Sequence, residues 1–127
     1  MLKKLTPVLI VEAIEPVLPF WAALGFSQGP SVALGGKLGF VILERDGIEI
    51  MYQSVASVRN DVPAVLSGSV PVGAATLYIE VDDLDEVARL VPAGADVIVA
   101  RRQTFYGATE MFVRDPAGHV IAFSQHG

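Results

Sequence analysis

A weak internal repeat constrains the fold of this chain more than any other feature of its sequence. Shifting the sequence by 70 positions aligns residues 11–15 with residues 81–85, and the apolar residues that follow then coincide. These are Ile14, Val17, Leu18 and Trp21 in the first half, and Leu84, Val87, Ala88 and Val91 in the second. Each set has the spacing i, i+3, i+4, i+7, which is one face of a helix. The sequence therefore predicts two copies of one unit.

Short runs of alternating apolar residues predict one strand before each helix and three strands after it. The predicted strands cover residues 7–12, 27–34, 38–45 and 48–53 in the first unit, and residues 75–82, 96–101, 110–114 and 119–124 in the second. Gly35-Gly36 and Asp46-Gly47 are typical of two-residue hairpin turns, and the sequence DPAG at residues 115–118 predicts a longer turn. The order βαβββ, found twice, predicts an α+β fold.

The two units are joined by a segment that is rich in Ser, Pro and Val. We expect a single domain with modules at about residues 1–54 and 74–127 and a linker at residues 55–73. A short helix is expected within the linker, at residues 62–66. The segment is too short to form a domain of its own, so it is interpreted as a linker that lies on one edge.

Composition and charge narrow the class of protein. Hydrophobic residues make up 52% of the 127 residues and charged residues 18%, which is typical of a globular chain. The absence of cysteine excludes disulfides and thiolate metal sites, and a cytoplasmic location is the default expectation. No apolar run approaches the roughly 18 residues of a membrane span. The net charge of −5 argues against nucleic acid and permits a cationic ligand.

The predicted strands have two different faces. In residues 48–53, Ile48, Ile50 and Tyr52 alternate with Glu49, Met51 and Gln53. The apolar face suits packing against a helix. The mixed face suits either a ligand cavity or simple exposure to solvent, and strand patterning does not separate these two interpretations.

Three segments carry a resemblance to a known family. They are PVLIVEAIEPVLPFWAALGFS at residues 7–27, DGIEIMYQ at residues 46–53, and YGATEMFVRDPAGHVIAF at residues 106–123. Together they resemble the vicinal oxygen chelate superfamily, which includes glyoxalase I, extradiol dioxygenases, fosfomycin-resistance enzymes and bleomycin-resistance proteins. The resemblance implies that the two βαβββ units form a curved mixed sheet with a cleft, and that the protein is a homodimer.

Enzymes of this superfamily generally hold a divalent metal with one residue from each of four strands. The motif positions fall on Thr6, Glu49, Thr76 and Ala122. Only Glu49 is a normal ligand, whereas a Zn, Fe, Mn or Ni site needs about three or four His or carboxylate ligands. We therefore expect no metal and no cofactor. His119 and His126 lie outside these positions and are expected at the surface.

The missing chelate is shared with the bleomycin-resistance proteins, which bind a drug without chemistry. The resemblance places Tyr106 where an aromatic residue, usually Trp, stacks on the drug. It places Pro7 in an N-terminal strand that is exchanged between subunits in that family. Acidic residues of the family groove meet a cationic drug, and the candidates here are Glu49, Glu80 and Glu110.

Six residues are candidates for ligand binding, with no catalytic or metal-binding residue among them. They are Phe40, Glu49, Met51, Tyr78, Tyr106 and Glu110. Glu49 is either a cavity carboxylate or the partner of a nearby Lys or Arg, and Tyr106 is either a stacking platform or part of loop packing. Glu110 either faces the cavity or has a structural hydrogen-bonding role, which we favour. Phe40 suits the pocket and the core equally. The basic pair Arg101-Arg102 is typical of a solvated strand end.

These observations lead to three hypotheses. The first is a metal-free, bleomycin-resistance-like protein that sequesters a small, antibiotic-like molecule, planar and cationic, and is not an enzyme. The alternative is a lyase, isomerase or dioxygenase-like enzyme of the same superfamily that uses Glu49 as acid/base or as the sole metal anchor. The third is a dimeric scaffold that has lost its ligand. Neither nucleic acid nor a membrane is an expected partner.

Overall fold

A computed structural model describes residues 4–66 and 75–127, and the chain divides into two compact units, Met1–Val70 and Pro71–Gly127. Each unit contains a four-stranded mixed sheet and a helix that follows its first strand. The expected α+β class is confirmed, with the strands divided between two sheets. Whether the units form one cleft within a single domain stays a prediction.

Up to residue 54, the first unit contains five regular elements and one 3₁₀ turn. They are β1 (Val8–Val11), the 3₁₀ turn Glu15–Val17, α1 (Leu18–Ala23), β2 (Ser27–Leu34), β3 (Lys37–Arg45) and β4 (Ile48–Ser54). The strand order is β1-β4-β3-β2, and β1 runs parallel to β4 while the other pairs are antiparallel. β1 pairs with β4 of the same chain. The expected exchange of this N-terminal strand between subunits stays a prediction.

The predicted apolar stripe contributes three of its four residues to the core of the first unit. Ile14, Val17 and Trp21 are fully buried, whereas Leu18 is only half-buried and Phe20 is buried in addition. The 3₁₀ turn before α1 has about three residues per turn, so the helical spacing does not extend across the boundary. The indole Nε1 of Trp21 donates a hydrogen bond to the hydroxyl of Tyr52 at 2.7 Å.

The second unit repeats this arrangement. Its elements are β5 (Thr76–Glu80), α3 (Leu84–Leu90), β6 (Asp96–Gln103), β7 (Ala108–Arg114) and β8 (Val120–His126), and its strand order is β5-β8-β7-β6. The side chain of Asp83 caps α3 by accepting a hydrogen bond from the backbone N–H of Glu86 at 3.2 Å. β7 begins before residue 110 and β8 extends beyond residue 124, so both strands are longer than the sequence predicted.

The predicted turns are confirmed by their backbone angles. Gly35 and Gly36 have φ of 61° and 79°, and Asp46 and Gly47 have φ of 54° and 79°. Two successive residues with positive φ are the condition for a type I′ hairpin. In the longer turn, Asp115 Oδ1 accepts hydrogen bonds from the backbone N–H groups of residues 117 and 119, at 3.0 and 2.8 Å.

The segment after β4 is more ordered than a linker. A helix, α2 (Val55–Asp61), starts directly after β4 because Ser54 caps it, with the hydroxyl accepting from the backbone N–H of Ser57 at 3.1 Å. Val55 and Val58 are buried. The sequence prediction missed this helix because Ser, Asn, Asp and Val have only modest helix propensity. The short helix expected at residues 62–66 is a 3₁₀ turn, Pro63–Leu66. Residues 67–73 of the predicted linker lie outside the described residues.

None of the helices in the described ranges is long and apolar enough to cross a membrane.

Candidate functional site

One face of the second sheet brings four polar side chains together. Arg102 on β6 lies opposite Glu110 on β7, and Glu110 lies opposite Ser124 on β8. Residues directly opposite one another across neighbouring strands point to the same face. Tyr78 on β5 pairs with Ala122, two residues before Ser124, and therefore shares that face. α3 packs against β7 and β8, and Arg101, the strand neighbour of Arg102, reaches Asp85 on α3. Because successive side chains of a strand point to opposite faces, the polar set lies on the face that points away from α3.

Glu110 is the centre of this group and is only 1% exposed. Its Oε1 accepts hydrogen bonds from Nε and Nη2 of Arg102, at 3.0 and 2.8 Å. Its Oε2 accepts from the hydroxyls of Tyr106 at 2.9 Å, Ser124 at 3.1 Å and Tyr78 at 3.2 Å. These donors offset the cost of burying a charge. The ion pair with Arg102, followed by the hydroxyl donors, lowers the pKa of Glu110 in spite of its burial.

The hydroxyl of Tyr78 connects Glu110 to the end of β8. It lies 2.8 Å from Ser124 Oγ and 2.7 Å from Nε2 of His126. Because an ionised carboxylate only accepts hydrogen bonds, the Ser124 hydroxyl donates to Glu110. The single hydroxyl hydrogen of Tyr78 is then shared between Ser124 Oγ and Glu110 Oε2. In that direction the oxygen of Tyr78 accepts from His126, which requires a hydrogen on Nε2. The chain of donors runs from His126 to Glu110.

Two tyrosine rings stay accessible although their hydroxyls are held. Tyr78 is 51% exposed and Tyr106 is 52% exposed. The ring centroids of Tyr78 and Tyr106 lie 6.2 and 6.3 Å from that of His126. The hydrogen bond to the Glu110 carboxylate raises the pKa of Tyr106, so the phenol keeps its proton. We call Tyr78, Tyr106 and His126 the aromatic surface.

Phe105 extends the aromatic surface and was missed by the sequence analysis. It is fully exposed, and its ring packs edge-on against Tyr106 with centroids 5.1 Å apart. A fully exposed phenylalanine is unfavourable in water unless something covers it. The signal in the sequence was its position directly before the Tyr106-Gly107 pair.

The other three predicted residues lie in the first unit. Phe40 and Met51 are half-buried on the face of β3 and β4 that points away from the core. The predicted core alternative for Phe40 is therefore wrong, since the buried residues of β3 are its neighbours on the opposite face. Glu49, also on this outer face, forms an ion pair with Lys4. The six predicted residues thus form two groups, one in each unit.

The positions expected to bind metal in the superfamily have few suitable donors. Ala122 is buried and has no donor atom, and Glu49 is engaged by Lys4. In residues 4–66 and 75–127, no group of three or more His, Cys, Asp or Glu side chains is arranged to hold a metal ion. The absence of a cofactor stays an expectation. His119 is buried, so its expected place at the surface is wrong, because the turn around Asp115 folds it inward.

The chain contains two βαβββ units, each with a mixed four-stranded sheet, and this is the fold that the sequence resemblance implied. The sequence model of the Glyoxalase/Bleomycin resistance protein/Dioxygenase superfamily matches residues 8–123. The chain belongs to this superfamily, as its motifs suggested. A search of curated proteins found no match.

Solved structures of similar fold cover nearly the whole chain. TioX from Micromonospora sp. ML1 is 20% identical with a TM-score of 0.78, covering 98% of this chain and 99% of its own. A glyoxalase/bleomycin resistance protein/dioxygenase family enzyme from Burkholderia phytofirmans PsJN is 22% identical with a TM-score of 0.75, covering 94% and 95%. The hypothetical protein SA1046 from S. aureus is 20% identical with a TM-score of 0.75, covering 98% and 94%. At these identities the likeness supports the fold alone.

Proposed function

We propose that this protein binds a flat, antibiotic-like aromatic molecule in the cytoplasm and confers resistance by sequestering it without chemistry. The observation that carries the proposal is the aromatic surface, where two half-exposed tyrosine rings are fixed by one buried carboxylate. Tyr78 and Tyr106 both donate to Oε2 of Glu110, at 3.2 and 2.9 Å. The bleomycin-resistance-like interpretation of Tyr106 as a stacking residue fits this arrangement.

Fixed rings favour stacking because little freedom is lost when a ligand binds. A tyrosine held at both its backbone and its hydroxyl has few rotamers to give up, and this preorganisation strengthens binding. An aromatic pair contributes about 0.5–1.5 kcal/mol beyond its buried area. Glu110 therefore acts on the ligand through the tyrosines, as a positioning residue.

The carboxylates favour binding over catalysis. Glu110 accepts five hydrogen bonds, and its lowered pKa makes it a weak base. Glu49, which the alternative enzyme would use as acid/base or metal anchor, is paired with Lys4. This contact is an ordinary ion pair and gives no support to the enzymatic alternative.

The charge of the ligand stays a prediction. Of the three acidic residues nominated to meet a cation, Glu49 and Glu110 already have cationic partners. Glu80 is exposed and lies 3.9 Å from His126. A cationic ligand would therefore depend on Glu80, and binding of a flat cation is one arm of the test.

Calorimetric titration with two flat probes tests the proposal. The probes are 2-naphthamide, which is neutral, and proflavine, which is a cation. We expect at least one of them to bind, and Tyr106→Ala to weaken that binding about three- to tenfold through the lost stacking. Tyr106→Phe keeps the ring and should lose less. Val32→Ala, an exposed apolar site in the first unit, is the control that should change nothing.

Two results would refute the proposed function. One is the absence of binding by both probes and by a wider set of flat aromatic compounds, measured also as the absence of any rise in melting temperature. The other is recovery of a chemically altered ligand, which mass spectrometry after incubation would detect. Unaltered ligand with weakened binding in Tyr106→Ala supports sequestration.

A further inference from the structure

Arg102 presents an unused hydrogen-bonding edge beside the aromatic surface. Its Nε and Nη2 both donate to the same oxygen of Glu110, and its side chain remains 52% exposed. In the part of the chain that the structure describes, Nη1 has no hydrogen-bond partner. A guanidinium has five N–H donors, so the edge formed by Nη1 and Nη2 still offers two parallel N–H groups.

The orientation of this edge is fixed on two sides. Glu110 holds one edge of the guanidinium, and the guanidinium carbon lies over the ring of Phe112, 4.9 Å from its centroid. Phe112 is two residues after Glu110 on β7 and therefore lies on the same face. A long side chain that is already held has less conformational entropy to lose on binding a ligand.

Arg101, the neighbouring residue on β6, does not contact Glu110 and forms a different ion pair. Arg101 points to the opposite face, where its Nη1 donates to Asp85 at 2.8 Å between two exposed side chains. Such exposed pairs contribute little. Both arginine side chains are about half-exposed and β6 continues to Gln103, so the two residues differ in their partners and not in their exposure.

We infer that Arg102 binds a carboxylate or similar oxyanion on the ligand, so that the proposed aromatic ligand is an aromatic acid. The inference rests on the proposed function, since the stacked ring places the acid group. Two parallel N–H groups match the two oxygens of a carboxylate, and guanidinium is suited to this bidentate geometry. Glu110 then has two tasks: it positions the tyrosines for the ring and the guanidinium for the acid.

The decisive comparison uses 2-naphthoate and 2-naphthamide, which differ in charge but have the same ring system. In the wild-type protein, calorimetric titration should give about tenfold tighter binding of the naphthoate. Arg102→Lys keeps a positive charge next to Glu110 but has no planar edge, so the advantage of the naphthoate should fall to about twofold or less. Arg101→Lys makes the same chemical change on the opposite face and should keep the full advantage.

A measurement on the unaltered protein guards against a variant that folds poorly. Raising NaCl from about 50 to about 500 mM should reduce the affinity for the naphthoate and leave that for the naphthamide unchanged, because salt screens only the charged contact. Melting curves of both lysine variants establish whether they are folded at the temperature of the titration.

The outcomes separate this inference from the proposed function. Equal affinity for the two naphthyl compounds, or an equal effect of the two lysine variants, would overturn the role of Arg102 while leaving ring binding intact. Tighter binding of proflavine than of the naphthoate would also overturn it. Failure of both naphthyl compounds, of proflavine and of the wider set of flat aromatic compounds to bind would refute the proposed function itself.

Discussion

Replacing Glu110 by Gln should destabilise the second unit and loosen the aromatic surface at the same time. Glutamate presents two acceptor oxygens, one to Arg102 and one to the hydroxyls of Tyr78, Tyr106 and Ser124. Glutamine has only one acceptor oxygen, so either orientation places its NH₂ group against existing donors. The change alters no volume and creates no cavity, so its effect reports the hydrogen bonds and the charge.

The size of the stability loss in Glu110→Gln depends on which hydrogen-bond partners of residue 110 are accessible to water. Ser124 is completely buried, and leaving its hydroxyl without an acceptor costs about 1–3 kcal/mol. Arg102 and Tyr106 are half-exposed and can turn to water, so the lost ion pair adds less than about 1 kcal/mol. Relief from burying a charge offsets part of this. We expect a net loss of about 2 kcal/mol in the free energy of unfolding.

Urea unfolding at neutral pH, followed by circular dichroism, measures this loss. With an m-value of about 2 kcal/mol/M, the midpoint should fall by about 1 M. Asp85→Asn is the matched control, because it breaks an ion pair of similar length between exposed side chains and should cost less than about 0.5 kcal/mol. Equal midpoints for wild type and Glu110→Gln, or equal losses in the two variants, would refute the reasoning.

The same substitution predicts a pH dependence. Because the pKa of Glu110 is lower in the folded than in the unfolded protein, acid protonates the unfolded state first. The stabilisation by Glu110 is therefore complete above the ordinary glutamate pKa of about 4.3 and is lost as the pH falls through the lowered value. The stability difference between wild type and Glu110→Gln should shrink in acid, and a constant difference from pH 6 to pH 3 would contradict the assigned pKa direction.

Four further predictions test other parts of the molecule. Ser54→Ala removes the cap of α2 and should cost about 1 kcal/mol in urea unfolding, whereas Ser57→Ala keeps the capping contact and should cost less. Tyr52→Phe leaves the buried Nε1 of Trp21 without its acceptor and should cost about 1–3 kcal/mol, so unchanged stability would contradict the assigned bond. Gly118 has a φ of 98°, which is unfavourable for a residue with a side chain, so Gly118→Ala should lower the melting temperature measured in a thermal unfolding scan. Sedimentation equilibrium should give a homodimer, and a monomer at all concentrations would refute that expectation.

Local features of the fold could be predicted from the sequence because local chemistry decides them. The bounds of β2, Ser27–Leu34, agree with the prediction, and Gly35-Gly36 and Asp46-Gly47 form the expected hairpins. Alternation along a strand and residues that tolerate positive φ act over a few positions only. The helix Val55–Asp61 escaped prediction because its stability depends on a cap and on two buried valines, and not on propensity.

The sequence also identified Tyr78, Tyr106 and Glu110 as candidates for ligand binding. It did not show that both tyrosine hydroxyls contact the carboxylate of Glu110. Tyr78 and Glu110 are 32 positions apart, and only the register of β5, β8 and β7 places their side chains in contact. Arg102 looked like its neighbour Arg101 in the sequence. The tertiary structure separated the two because successive side chains of a strand point to opposite faces, and Arg102 lies on the face that holds the buried carboxylate of Glu110.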